Sequence, residues 1–341
     1  MNDSRYARQI RYPGIGEEGQ RRLAGSDVAV LGCGALGSVA AELLGRAGVG
    51  RLRLIDRDVV EWSNLQRQSL YDERDADAAA AKAEAAAEHL SKINSTIRVD
   101  PIVRDVTPDN IAETLDGCDL VIDATDHFAI RFLLNDWSLE TRTAWVHGGA
   151  VGAVGQVHFF TGRGGPCFRC LMPEPPAGAV PTCDTAGVIG PVTHVVASLQ
   201  VAEAMKWLVG AGERVRSGVL SLDIWSNRFR SIDTPEELSR SCPACGGARR
   251  DWLRGDAGRS MTTTARLCGR QSVQVHTGVR VDGEALAERW SGLGEVTRTR
   301  FFTRLSADDH RLTVFADGRV LVDGTDDITT AKGLVTRYVG G

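Results

Sequence analysis

Short apolar runs alternate with amphipathic, helix-like segments through the first 150 residues. VAVLG (28–32) reads as a buried strand, Ser38–Ala47 as a helix rich in Ala and Leu, and RLRLID (51–56) as a second strand closing in acid. A polar loop (57–77) precedes AAAAKAEAAAEHLSKI (78–93), an alanine-rich helix of high intrinsic propensity. A strand over Ile97–Val103 comes next, then a short helix, Thr107–Leu115, and CDLVIDATD (118–126), a buried strand ending in two acids. Ala129–Thr141 reads as helix and Ala144–His147 as strand. This alternation predicts a parallel sheet covered on both faces. The pattern then changes. HGGAVGAVGQVHFFTG (147–162) is glycine-rich with period-two alternation, which predicts antiparallel strands. After it come a long Pro/Gly loop (173–191), a helix over Val192–Val209 and strands within GVLSLDIWSNRFRSI (218–232). The polar stretch 249–265 reads as a linker, and 266–341 alternates again as a small α+β module with a final helix ending in YVGG. The expected organisation is therefore an α/β domain over 1–248, a linker over 249–265 and a small α+β domain over 266–341.

Composition narrows the class. The 341 residues carry a net charge of −4, are 43% hydrophobic and contain no apolar run of membrane-spanning length. Nothing in this balance predicts a nucleic-acid or membrane partner. MNDSRYARQI lacks the apolar core of a signal peptide, so the expected compartment is the cytoplasm, where thiols stay reduced. There the eight cysteines become informative, because Cys167/Cys170 and Cys242/Cys245 form two C-x-x-C pairs. Four thiolates suit a closed, structural, tetrahedral zinc site, against thioredoxin-like exchange, which needs one pair only. Cys33, Cys118 and Cys268 read as buried or incidental thiols.

The first strand runs into G-x-G-x-x-G at Gly32, Gly34 and Gly37, with Asp56 ending the second strand. Backbone N–H groups of such a loop hold phosphates, and the acid can hold a ribose hydroxyl. The motif suits NAD, FAD, S-adenosylmethionine and ATP alike. The polar loop beyond Asp56 discriminates among them. Asn64, Arg67 and Gln68 in SNLQRQ, then Lys82, supply more positive and polar groups than a nicotinamide cofactor needs. Asp126 can supply a carboxylate to Mg²⁺. Taken singly, Lys82 reads as an exposed helix lysine and Arg8 as a surface residue of an N-terminal arm.

In this order RYARQ, GCGALG, DRD, SNLQRQ, Lys82 and DATDHFAIRFLLND resemble the MoeB/ThiF family over residues 5–248. These are adenylyltransferases that activate sulfur-carrier proteins and are homologous to ubiquitin-activating enzymes. The resemblance implies a Rossmann-like ATP-binding sheet in which the glycine loop and Asp56 hold the nucleotide. Asn64, Arg67 and Lys82 would act on the phosphates, Asp126 would bind Mg²⁺, and the second acid, Asp58, belongs to the same ATP-type signature. It implies that Arg8 reaches the ATP of a second subunit, hence a homodimer, and that the cysteine quartet binds zinc. Ala35 stands where many relatives have a further glycine. The implied partner is a small ubiquitin-like carrier ending in Gly-Gly, with a persulfide sulfur donor downstream. In some members a cysteine placed like Cys183 takes the activated acyl group, a step equally suited to an activating enzyme for ubiquitin-like conjugation. An NAD-dependent oxidoreductase and a zinc-stapled scaffold that binds a ubiquitin-like protein without activating it are the competing readings. No rhodanese-type loop is found in the C-terminal module, and Gly340-Gly341 reads as a helix-ending pair against a carrier tail.

Overall fold

The computed structural model describes residues 3–176, 183–255, 257, 264–266, 272–299 and 302–340. Its contacts divide the chain into two compact units, Met1–Asp256 and Ala257–Gly341. The first is a mixed α/β unit around one eight-stranded sheet in the order β3-β2-β1-β4-β5-β6-β7-β8. The strands are β1 (Asp27–Leu31), β2 (Arg51–Ile55), β3 (Arg98–Ile102), β4 (Leu120–Asp123), β5 (Ala144–Val151), β6 (Val154–Phe160), β7 (Val219–Asp223) and β8 (Arg228–Ile232). β1 pairs in parallel with β2 and β4, β2 with β3 and β4 with β5. From β5 onwards the pairing is antiparallel. The order reverses beside β1, the switch point at which open α/β sheets bind ligands.

Burial explains the strand sequences. Val28, Ala29 and Val30 of β1 and Leu120, Val121 and Ile122 of β4 are fully buried, as central strands covered on both faces must be. The helices Gly37–Ala47, Lys82–Ile93 and Gly190–Leu208 pack Leu44, Leu90 and Val196 into the core they share with the sheet. The helix Gly190–Leu208 also donates Gln200 Nε2 to the carbonyls of Asp123 (2.8 Å) and Val146 (3.1 Å). A Cβ on Gly148 would meet the Gln200 side chain at 2.3 Å, so a glycine there admits this crosslink.

Two departures from the sequence pattern lie beside the strand ends. The alanine helix starts at Lys82, not at residue 78. Ala79 has φ +45°, Val60 N–H donates to the Ala80 carbonyl, and Val59 bridges Ala81, so tertiary pairing overrides the propensity of four alanines. Within the loop expected over 57–77 lies a short helix, Glu73–Asp77, capped by Asp72, whose carboxylate accepts from the backbone of Arg74 and Asp75. Within the stretch read as a linker, the helix Asp251–Arg254 is held to the first unit. Arg169 pairs with Asp251 at 3.0 Å and Trp252 stacks on Phe132 with ring centroids 5.0 Å apart.

The second unit is a six-stranded antiparallel sheet ordered β11-β12-β13-β14-β10-β9. Its strands are β9 (Thr264–Arg266), β10 (Ser272–His276), β11 (Glu295–Arg298), β12 (Phe302–Ala307), β13 (His310–Phe315) and β14 (Arg319–Asp323). The helices Gly283–Arg289 and Ile328–Tyr338 contribute Leu286 and Val335 to its core beside Trp290. Trp290 Nε1 donates to the Tyr338 carbonyl at 2.8 Å and Arg289 donates to the carbonyls of Tyr338 and Val339, tying the final helix down to Val339. No helix among the described residues is long and apolar enough to cross a membrane.

His158, on β6, is buried, and burial pushes its pKa down to about 4 from 6.5. The unfolded chain therefore binds a proton that the fold refuses. The resulting stability is complete above about pH 6.5 and is lost as pH falls towards about 4. Urea midpoints should drop over this window by the equivalent of about 3 kcal/mol. In His158→Phe the drop should shrink; an unchanged profile would show that another group carries it.

Candidate active site

The site is built at the C-terminal ends of β1, β2 and β4. Gly32 leaves β1 with φ +90°, and a Cβ there would lie 2.9 Å from the Ala124 carbonyl. At Gly37 a Cβ would fall 1.8 Å from the Gly32 carbonyl, so both glycines are required by protein packing. Gly34 is different: a Cβ there would find only Gln68 Nε2, at 3.8 Å. Among the described residues no protein contact accounts for the missing side chain at Gly34, which leaves the backbone there open to close approach. Gly34→Ala should leave stability within about 0.5 kcal/mol of wild type and weaken ATP binding about tenfold by crowding the ligand. Thermal melts and calorimetric titration test this, and wild-type affinity in the variant would refute it. Gly37→Ala should instead lose stability.

Asp56 fixes this loop. One carboxylate oxygen accepts from Cys33 N–H at 2.6 Å and the other from Asp58 N–H at 2.7 Å. Burial pushes Asp56 upward, while Lys82 draws it back. Tyr71, a residue that sequence reasoning passes over, joins the loop to the next helix: its hydroxyl lies 2.7 Å from the Cys33 carbonyl and 3.1 Å from that of Lys82. No local motif marks Tyr71; it is one aromatic in a polar loop.

Lys82 is not an exposed helix lysine. It is 7% exposed, and its ammonium lies 3.7 Å from Asp58. Burial opposes its charge, but Asp58, Asp56, Asp126 and Glu61 more than offset this and hold its pKa above the usual lysine value. It occupies the first position of its helix, where the macrodipole disfavours a cation. A buried lysine kept charged against both burial and dipole is a candidate functional group.

Asn64 is buried at the end of the turn Trp62–Asn64, and its Oδ1 accepts from Glu61 N–H at 3.2 Å. Arg67 is half-buried, with Nη1 donating to the Ser63 carbonyl at 2.9 Å. Gln68 is buried beside Gly34. Asp126 is exposed just beyond β4, paired loosely with His127 at 3.7 Å, so its carboxylate is open to a cation. The structure thus gathers Gly32, Gly34, Gly37, Asp56, Asp58 and Lys82 around one end of the sheet, with Asp126 close enough to act on Lys82 electrostatically. Arg8 is exposed on the N-terminal helix Asp3–Ile10, away from any contact with these groups in its own chain among the described hydrogen bonds and ion pairs. The helix is anchored by Tyr6, whose hydroxyl accepts from Asn94 at 2.8 Å, and by Gln9. Cys183 opens the short helix Cys183–Ala186, and its side chain lies outside the described residues, as do Cys268 and Gly341.

The four cysteines converge although 75 residues separate the pairs. Sγ–Sγ distances are 3.7 Å for Cys167–Cys242, 3.8 Å for Cys167–Cys170 and 3.4 Å for Cys170–Cys245. These are far beyond a disulfide bond. A tetrahedral ion with Zn–S bonds of about 2.3 Å requires sulfurs about 3.8 Å apart, so the quartet could hold zinc. Burial pushes the thiols of Cys167 and Cys170 upward, the latter to about 12. Only a bound cation would make thiolates of them.

Comparison with known proteins agrees with this geometry. The ThiF family model matches residues 6–244. The chain is 38% identical over 340 residues to the sulfur carrier protein ThiS adenylyltransferase of Bacillus subtilis, covering 98% of this chain and 99% of that protein. It is 40% identical to the SAMP-activating enzyme E1 of Haloferax volcanii, over 71% of this chain and 88% of that one. It is also 40% identical to the sulfur carrier protein adenylyltransferase of Thermus thermophilus, over 71% and 90%. The fold is similar to that in the crystal structure of E. coli MccB with ATP, with a TM-score of 0.62 and 24% identity over 72% of this chain and 75% of that one. With a family match over most of the chain and a relative 38% identical along nearly all of it, this chain belongs to the ThiF family.

Proposed function

We propose that this protein catalyses ATP-dependent adenylylation of the C-terminal Gly-Gly carboxylate of a small ubiquitin-like sulfur-carrier protein. The observation that carries the reading is the charged, buried Lys82 set among Asp56, Asp58 and Asp126 beside the open glycine loop. Relatives named for adenylylation of sulfur carriers support it. A carrier carboxylate oxygen attacks the α-phosphorus of ATP, the bond to the β-phosphate breaks, and pyrophosphate leaves. A carboxylate is already a nucleophile at neutral pH, so the residues position and neutralise charge. Lys82, Arg67 and Asn64 act on the phosphates, Asp56 holds the ribose, and Arg8 of a second subunit completes the site in a homodimer. Asp126 would hold Mg²⁺, which supplies charge neutralisation on the phosphates when bound. Zinc on the cysteine quartet is structural.

ATP–pyrophosphate exchange with Gly-Gly-ending carriers tests the reading. Its failure with every carrier, or undiminished exchange in Asp126→Ala, would overturn it. A second reading, activation of a ubiquitin-like protein for conjugation through a Cys183 thioester, is favoured by the likeness to the SAMP-activating E1. A thiol-sensitive carrier adduct that vanishes in Cys183→Ala would distinguish it from direct transfer to a persulfide donor.

A further inference from the structure

Beneath the exposed Asp126 lies a buried set of charges to which the reaction assigns no role. Asp123, the first acid of DATD, is completely buried at the end of β4. Its carboxylate accepts from Thr125 Oγ1 at 2.6 Å, Thr125 N–H at 3.1 Å and His147 Nδ1 at 2.7 Å, with Arg131 Nε 3.5 Å away. Arg131 is itself buried and donates through Nη2 to the Thr125 carbonyl. Thr125 is thus gripped at its amide, hydroxyl and carbonyl. Asp126, the next residue, has a side chain that is 75% exposed and, among the described residues, a loose ion pair with His127 and longer-range attraction to Lys82 and Arg57, so its place is set largely by its backbone. The same turn abuts the glycine loop, since Ala124 O lies 2.9 Å from where a Gly32 Cβ would be. A buried set of aspartate, arginine and histidine is often no more stabilising than apolar packing of the same volume. Such a cluster at the root of a ligating carboxylate has a use beyond stability, because groups behind a metal ligand fix its direction.

We propose that Asp123, Thr125 and Arg131 are positioning residues that hold the Asp126 carboxylate towards the metal–ATP substrate and so set the affinity for its cation. The inference rests on the reading of Asp126 as the Mg²⁺ ligand. Calorimetric titration of ATP into the full-length chain at graded Mg²⁺, without carrier, tests it. Thr125→Val should raise the half-saturating Mg²⁺ roughly tenfold, with ATP binding restored at saturating Mg²⁺. Thr125→Ser, which keeps the hydroxyl, should titrate as wild type. Melting temperatures are measured in parallel, and if Thr125→Val does not fold, Arg131→Lys carries the same comparison. Wild-type Mg²⁺ dependence in Thr125→Val, or an equal shift in Thr125→Ser, overturns the positioning role while leaving Asp126 untouched. Mg²⁺-independent ATP binding in wild type, or wild-type titration of Asp126→Ala, would instead sink the ligand assignment and the inference with it.

Discussion

Lys82→Met is expected to lower ATP–pyrophosphate exchange by roughly 10²–10³-fold, the usual loss when one preorganised charge-stabilising group is removed. Methionine is of similar length without the charge, so the buried position stays filled while Asp56, Asp58 and Asp126 lose their shared counterion. The triphosphate would then meet carboxylates with less counter-charge, Arg57 at 3.8 Å from Asp58 being a remaining cation. Stability should fall as well, because removing one member of a buried charge cluster leaves Asp56 without its counterion. Melting curves therefore accompany the kinetics. A folded Lys82→Met enzyme with turnover near wild type would refute the phosphate role, and with it the significance of a buried lysine at a helix start.

Removing zinc, by chelation or by Cys245→Ser, is expected to cost more than about 4 kcal/mol of stability, as loss of a structural metal does. The quartet ties Cys167 and Cys170, at the short helix Phe168–Leu171, to Cys242 and Cys245, and only Cys167, Cys242 and Ala244 form a buried apolar cluster there. Without a cation four converging thiols have little else to hold them together. Hydrogen exchange should show the segment around 237–254 opening first, while the Asp136–Trp252 and Arg169–Asp251 contacts loosen with it. Elemental analysis should find one zinc per chain. Zinc-free protein with an unchanged melting temperature would overturn the assignment.

Much of this is legible in the chain because it depends on local spacing. The glycine loop, the acids ending β2 and the two C-x-x-C pairs are read directly, since short-range geometry fixes what they can do. The apolar runs of β1, β2 and β4 mark strands buried on both faces. Less legible are the residues that act from behind. Asp123 reads only as one of two acids closing a strand, and its partner His147 lies 24 residues away on β5. Arg131 reads as a helix residue among apolar neighbours, and Tyr71 carries no motif at all.

By itself the sequence determined the α/β alternation, the glycine loop and the two C-x-x-C pairs, because backbone freedom and burial are properties of residue type and spacing. Only the tertiary structure decided the character of Lys82. Propensity starts its helix at residue 78 and leaves the lysine a turn inside, on a solvated face. The bridge between Val59 and Ala81 and the bond from Val60 to Ala80 start the helix at Lys82 instead, and the ends of β1 and β2 bring Asp56 and Asp58 to its ammonium. A long-range backbone pairing, invisible to any local rule, turned an ordinary helix lysine into a buried charge beside the glycine loop.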